Sequence, residues 1–154
     1  MTFNAAAINA LFSVIVSEAQ QLGIFAEVSQ HEPKNAPGNG LTCAVWMQGI
    51  KPTRASGLAA VSGVVSFRAR IYSNMLAEPQ DGIDPELLAA AGLLMETYSG
   101  SFTLGGTVRN VDLFGSEGTP LAAEAGYIQH DSRMFRVMEI SLAVIVNDMW
   151  DEVA

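Results

Sequence analysis

Few residues in this chain are of types and spacings suited to chemistry: His31 and His130, Cys43, an acidic group at Asp148, Asp151 and Glu152, and a scatter of cations. His130-Asp131-Ser132 holds the residue types of a hydrolase triad. Adjacent residues on a turn cannot aim their side chains at one another as that mechanism requires, so the run reads as a polar turn. There is no Gly-x-Ser-x-Gly elbow, no phosphate-cradling glycine loop with its lysine, and no His-Glu-x-x-His. Leu104-Gly105-Gly106-Thr107 precedes a strand rather than a helix, offers a phosphate no helix N-terminus, and reads as a turn. Cys43 alternates with Val45 and Met47 and is expected to be a buried thiol. Asp148, Asp151 and Glu152 lack the spacing of a cation site and read as a solvated tail, with Trp150 anchoring it to the body or to a neighbour. No catalytic residue, cofactor or metal ligand is assigned.

The cations are more informative. Arg68 and Arg70 share one face of a strand with Tyr72, and Arg133 and Arg136 lie on another. Two readings stand: a sheet surface facing water, or guanidinium groups paired with carboxylates of an adjacent subunit. Lys51 and Arg54 fall in Ile50–Gly57, a stretch that reads as a flexible connection.

The elements that position these residues follow from periodicity. Ala125–His130 and the run from Arg133 form a hairpin around Asp131-Ser132. From Met138 the second strand alternates. Met138, Ile140, Leu142, Val144 and Val146 face a core; Glu139, Ser141, Ala143 and Ile145 face the other way. Upstream, Asn4 caps a helix over residues 5–22 whose stripe is Ile8, Leu11, Phe12, Ile15, Ala19 and Leu22, with Gly23 at its end. Strands are expected near 24–30, at 42–48 and at 61–72, the last two forming a long hairpin whose tip, around 49–60, projects. Asp84 is expected to cap a second helix with Pro85 at its first position and an Ile83–Leu88 staple. A strand is expected over 104–114. The order α-β-β-β-α-β-β-β describes an α+β domain of mostly antiparallel sheet with two helices packed on it, spanning 1–154.

Composition bounds the rest. The chain has 154 residues, 49% of them apolar and 16% charged, with a net charge of −8. That length supports one domain with a real core. Mean hydropathy is +0.26, and serines and Gly92 interrupt every apolar run before membrane-spanning length, so the surplus apolar surface is assigned to subunit contacts. Net acidity argues against general nucleic-acid binding, which depends on clustered Lys and Arg. A lone cysteine makes no internal disulfide, and Met1-Thr2-Phe3-Asn4 lacks a basic signal region; an intracellular, unprocessed chain is expected.

The C-terminal third resembles the tail terminator (tail completion) proteins of long-tailed bacteriophages, and is similar to those of actinobacterial phages. The resemblance rests on Tyr98–Phe114, on Ala125–Ile128, and on Asp131–Val137 running into Leu142–Trp150; the N-terminal elements agree in order only. It implies a subunit of a six-membered ring at the head-proximal end of the tail tube. Such a ring ends tube polymerisation, joins the head connector and lets DNA pass without specific binding. Its implied partners are copies of itself, the tube protein and connector proteins, in a virion assembled in the host cytoplasm and without membrane. The expected contacts are Lys51 and Arg54 at the hairpin tip, Arg68, Arg70, Arg133 and Arg136 on the strands, and Asp148, Trp150 and Asp151 in an acidic tail over 147–154. A head-completion or stopper protein and a tube subunit are the near alternatives. A small ligand-binding or enzymatic α+β domain is the distant one.

Overall fold

The computed structural model describes residues 3–34, 36–37, 40–53, 60–74, 80–101, 103–104, 106 and 108–151, with the backbone alone at Ala60 and Asp151. It is an α+β fold. Helix α1 (Ala5–Gln21) and helix α2 (Ile83–Gly100) pack on a sheet of β1 (Glu27–Ser29), β2 (Thr42–Pro52), β3 (Ala60–Asn74), β4 (Asn110–Val111), β5 (Ala122–His130) and β6 (Arg133–Asp151). The order across the sheet is β1-β2-β3-β6-β4, with β5 also paired to β6. Only β1 and β2 run parallel.

Alternation assigns the two faces. Cys43, Val45, Val65, Phe67, Ala69, Ile71, Ile140, Leu142 and Val144 project from one face into a single buried cluster with Ile8, Leu11, Ile15, Leu87, Leu94 and Tyr98 of the helices. α1 starts where expected because the Asn4 side chain accepts from the Ala7 N–H at 3.2 Å, and Gly23 takes the left-handed conformation after it. Phe12 tilts onto Phe67 with ring centroids 5.3 Å apart. The Tyr98 hydroxyl donates to the Ile15 carbonyl at 3.2 Å, tying α2 to α1 inside the core. Burying side chains of this size contributes roughly 1.5–3 kcal/mol each.

The opposite face is covered at its ends by two irregular segments. The chain after β1 crosses to the far hairpin, where the Ala36 N–H donates to Asp131 Oδ2 at 2.7 Å and His130 Nε2 lies 3.1 Å from the Pro33 carbonyl. Beneath it Ala44, Tyr72, Phe135 and Val137 form a second buried cluster. The loop after β4 crosses the other way, above the row Lys51–Val64–Ile145–Asn110. Lys51 Nζ donates to the Glu117 carbonyl at 2.7 Å, and the Thr53 hydroxyl to Glu117 Oε2 at 2.6 Å. Val64, Ala143 and Ile145 are buried there.

Several expectations change. Among the described residues of 104–114, strand is confined to Asn110–Val111. Leu104 at φ +47° and Gly106 at φ +84° make a turn instead, and fully buried Leu104 plugs the end of α2. α2 begins at Ile83 after a 3-10 turn with Gly82 at its N-cap, so no side chain caps it; Asp84 lies in the first turn, where Arg136 holds its carboxylate at 2.9 Å. The Ile83–Leu88 staple is absent: Ile83 is buried and Leu88 is 65% exposed. β2 continues through Lys51 and Pro52 past a bulge at Gln48, so Lys51 sits in a paired strand rather than at a projecting tip. Arg54 and the tip itself lie outside the described residues. Of the expected tail, residues 147–151 belong to β6 rather than to a free tail, and Glu152 with the rest of 152–154 lies outside the described residues. Trp150 pairs with Val61 and Asp151 with Ala60, beyond a bulge in which Asp148 has φ +51°. An added Cβ at Gly63 would lie 2.5 Å from Met149 Sδ, so glycine is what lets that bulge fold down onto β3.

The Asp131-Ser132 turn has φ +50° and +64°, the geometry of a type I′ hairpin, which glycine adopts far more cheaply than serine. Ser132→Gly is expected to stabilise the protein by about 0.5–1 kcal/mol, raising Tm by about 2 °C. Chemical and thermal denaturation followed by circular dichroism check both values; an unchanged or lower stability contradicts the turn assignment.

Candidate functional site

Between the two crossing segments the middle of the sheet's second face stays open, and there the strand register assembles a ladder of polar groups. One row is Trp46–Arg68–Ser141–Ala122, the next Ala44–Arg70–Glu139–Glu124. Arg70 is the hub. Its Nη2 and Nε reach Glu139 Oε1 at 2.7 and 3.1 Å, and its Nη1 donates to the Tyr72 hydroxyl at 3.1 Å. Glu32 of the crossing segment lies 3.5 Å away, and the guanidinium carbon sits 4.8 Å from the centroid of Trp46. Arg68 joins the same Glu139 oxygen at 3.5 Å. A planar guanidinium suits this cage, since it stacks on one partner and donates in its plane to others.

Burial alone would pull the Arg70 guanidinium down, but hydrogen bonds to Glu139 and Tyr72 outweigh it and hold the pKa above the ordinary arginine range. Burial pushes the Tyr72 hydroxyl up against the opposing effect of Arg70. The ridge is thus neutralised within one chain. On this open face, where Arg68 keeps 35% of its side chain exposed, both arginines have an internal pairing with Glu139. Its signal was present in the sequence, because Glu139 alternates onto the same face as Arg68 and Arg70 once β3 and β6 are paired.

Arg136 lies on the helix-covered face, separated from this ridge by the sheet. It binds both Asp84 oxygens, at 2.9 and 3.4 Å, donates to the Gly126 carbonyl at 3.2 Å, and stacks 4.4 Å from the Tyr127 centroid. The Arg136 hydrogen bond, more than its charge at a distance, holds the Asp84 carboxyl below the usual carboxylate range. Arg133 opens β6 opposite His130 and is exposed. The Asp148 N–H lies 3.4 Å from the Ser62 hydroxyl, and Trp150 stacks on Phe3 with centroids 6.3 Å apart. The predicted contact residues therefore fall into separate places, and all those with described side-chain partners use them to build this fold.

His130 Nδ1 is 3.6 Å from Asp131, whose carboxylate already accepts from Ala36. Cys43 is buried, and burial pushes its thiol up to about 12, far from a reactive thiolate. Among the described residues no group of three or more His, Cys, Asp or Glu side chains could hold a metal ion, and no helix is long and apolar enough to cross a membrane.

A feature missed from the sequence is Phe114. Its side chain is 93% exposed on a loop fastened by Asp112, whose buried carboxylate accepts from the Ser116 N–H and hydroxyl at 3.0 Å and from the Glu117 N–H at 2.9 Å. The Asp-x-x-x-Ser-Glu spacing was the available signal for that Asp-anchored turn.

Two outcomes test these pairings. Glu139→Gln, which leaves the caged Arg70 with only the exposed Glu32 carboxylate, 3.5 Å away, as a charge partner, is expected to cost about 1–2 kcal/mol, while Arg68→Ala on the wetter side costs below about 0.5 kcal/mol; urea denaturation distinguishes them. For Asp84 the folded pKa lies below the unfolded one, so its stabilising contribution is present above the unfolded value and is lost as pH falls through the folded one. Carboxyl NMR titration should show an Asp84 midpoint below about 3.9 that returns upward in Arg136→Leu.

No protein-family model matches the chain, and no curated protein matches it. Among solved structures, it is similar to a chain of the virion of a native gene transfer agent particle. The two are 16% identical, and the match covers 92% of this chain and 98% of that one at a TM-score of 0.47.

Proposed function

We propose that this chain is a structural virion protein of a bacteriophage-type particle, acting through contacts rather than catalysis. Its finer role is that of a ring subunit at the head-proximal end of a tail tube. The observation that carries the contact reading is Phe114: a loop internally fastened by a buried carboxylate holds a phenyl ring 93% in water. Ordering a loop in order to display apolar surface costs solvation and brings return only when a partner covers it. Met47, Ile50, Leu88, Leu93, Tyr127 and Met134 add further exposed apolar surface. The self-neutralised arginine ridge supports the same reading, since among the described residues its polar groups bond to one another rather than converging on a substrate.

The tail-end placement rests on the resemblance of residues 98–150 to tail terminators. In that role one face of the ring matches the tube, and the other lacks the surface that would accept a further tube ring. An acidic chain suits a DNA passage, because it repels phosphate rather than retaining it.

Negative-stain microscopy of the purified protein, alone and mixed with tail tubes, tests this reading. Single rings seated at one tube end are expected, and Phe114→Glu should abolish seating or ring formation while leaving folding stability within about 0.5 kcal/mol of wild type. Indefinite tubes of the protein alone would make it a tube subunit, and a monomer that ignores tubes at all concentrations would remove the assembly role.

A further inference from the structure

Among the described residues the outer edge of β5 is unpaired, and a groove beside it borders the Asp84–Arg136 pair. β5 pairs with β6 on one side, and among the described residues no strand lies on the other. The type I′ turn decides which amides face outward. It makes His130 and Arg133 a pair that exchanges both backbone hydrogen bonds. Counting back in twos, Ala122, Glu124, Gly126 and Ile128 turn their N–H and C=O groups to β6; Ala123, Ala125, Tyr127 and Gln129 turn theirs away. The parity holds farther along the same flank of β6, where the Ala143 and Ile145 carbonyls accept from Asp112 and Arg109.

Edges of this kind are usually blunted by proline, lysine or a bulge. β5 has no proline, no lysine and an unbroken register. Beside it, between the first turns of α2 and the sheet, runs a groove of about 370 Å³ lined by Pro85, Leu87, Leu88, Ala125 and Met138, with the Asp84–Arg136 pair at its lip. Leu88 is 65% exposed and Tyr127 61%.

We propose that this edge and groove form a docking site for an extended segment of a different protein, one that alternates apolar with basic residues and is captured as an added strand. Its backbone pairs with Ala123, Ala125, Tyr127 and Gln129. Its apolar side chains fall on the helix side, over Ala125 and against Leu88; its basic ones fall on the opposite face, beside the exposed Glu124. A second copy fits this edge poorly. Two β5 strands pairing antiparallel about Ala125 would set each Glu124 diagonal to its twin, in a chain of net charge −8. Among the described residues the other outer strands, β1 and β4, offer three and two residues to the nine of β5. The site stands independently of the ring reading.

The test uses the full chain and a fluorescent nine-residue peptide, the length of β5, alternating valine with lysine, read by anisotropy. Two N-methylated forms accompany it, one blocked at the valine amides and one at the lysine amides. Saturable binding is expected, weakened about tenfold by methylation in one register and little in the other, since only one set of amides can face β5. Ala125→Pro removes an outward N–H without touching the β5–β6 ladder, and Leu88→Asp spoils the groove. Each should weaken binding about tenfold, with circular dichroism unchanged. If Ala125→Pro misfolds, Leu88→Asp and the methylated peptides still decide. Equal binding by both methylated forms would reduce the effect to charge attraction and overturn the proposal, as would absence of saturable binding. Sedimentation showing a wild-type dimer that Ala125→Pro makes monomeric would assign the edge to a second copy and overturn it likewise.

Discussion

The pairing of β3 with β6 is the constraint from which the rest follows. Their register runs from Val64 opposite Ile145 to Asn74 opposite Phe135 without a break. Each residue of β6 thereby receives a fixed face, and a slip by one would send Ile140, Leu142 and Val144 to the open side and Glu139 into the helices. The same register sets Arg70 opposite Glu139. One ladder thus determines both the apolar core and the charge pairing on the reverse surface.

β6 carries this load because it is long and has neighbours on both flanks: β3 along one, β5 and then β4 along the other. A strand so placed has few backbone groups left for solvent, and its apolar alternation matches a sheet interior. The helices supply the cover that the alternation demands. The opposite face needs no third helix, because two irregular segments cross its ends and a ring of mutually bonded polar side chains occupies its centre.

Periodicity made the element order and the helix-facing residues readable from the sequence: the α1 stripe, the Asn4 cap, the two faces of β3 and β6, and the hairpin around Asp131-Ser132 all have local causes. What escaped was set by distant partners. Asp84 has every local mark of an N-cap, yet it lies in the first turn of α2, and Arg136, far along the chain, takes its carboxylate. Leu104 to Phe114 reads as a strand in isolation, but the buried Leu104 and the Asp112-anchored turn take its place. The acidic run near Trp150 reads as a tail because nothing local announces that Gly63 leaves room for a bulge to lie down on β3. Of the candidate contacts, the arginines were legible as a ridge but not as a closed one, since the pairing of β3 with β6 is a tertiary fact.

The two crossing segments carry a consequence for how the chain reaches this state. The Ala36–Asp131 and Pro33–His130 contacts join residues separated by 95 and 97 positions, and β3 waits for a partner strand that emerges late from the ribosome. Loop-closure entropy must be met before those contacts give anything back, which makes acquisition of the native state slow relative to helical proteins of similar size. Until β6 arrives, the β2–β3 ribbon lacks its partner along one margin and the cover that α2 supplies. That nascent interval is where chaperone capture or off-pathway clumping would compete with completion of the sheet.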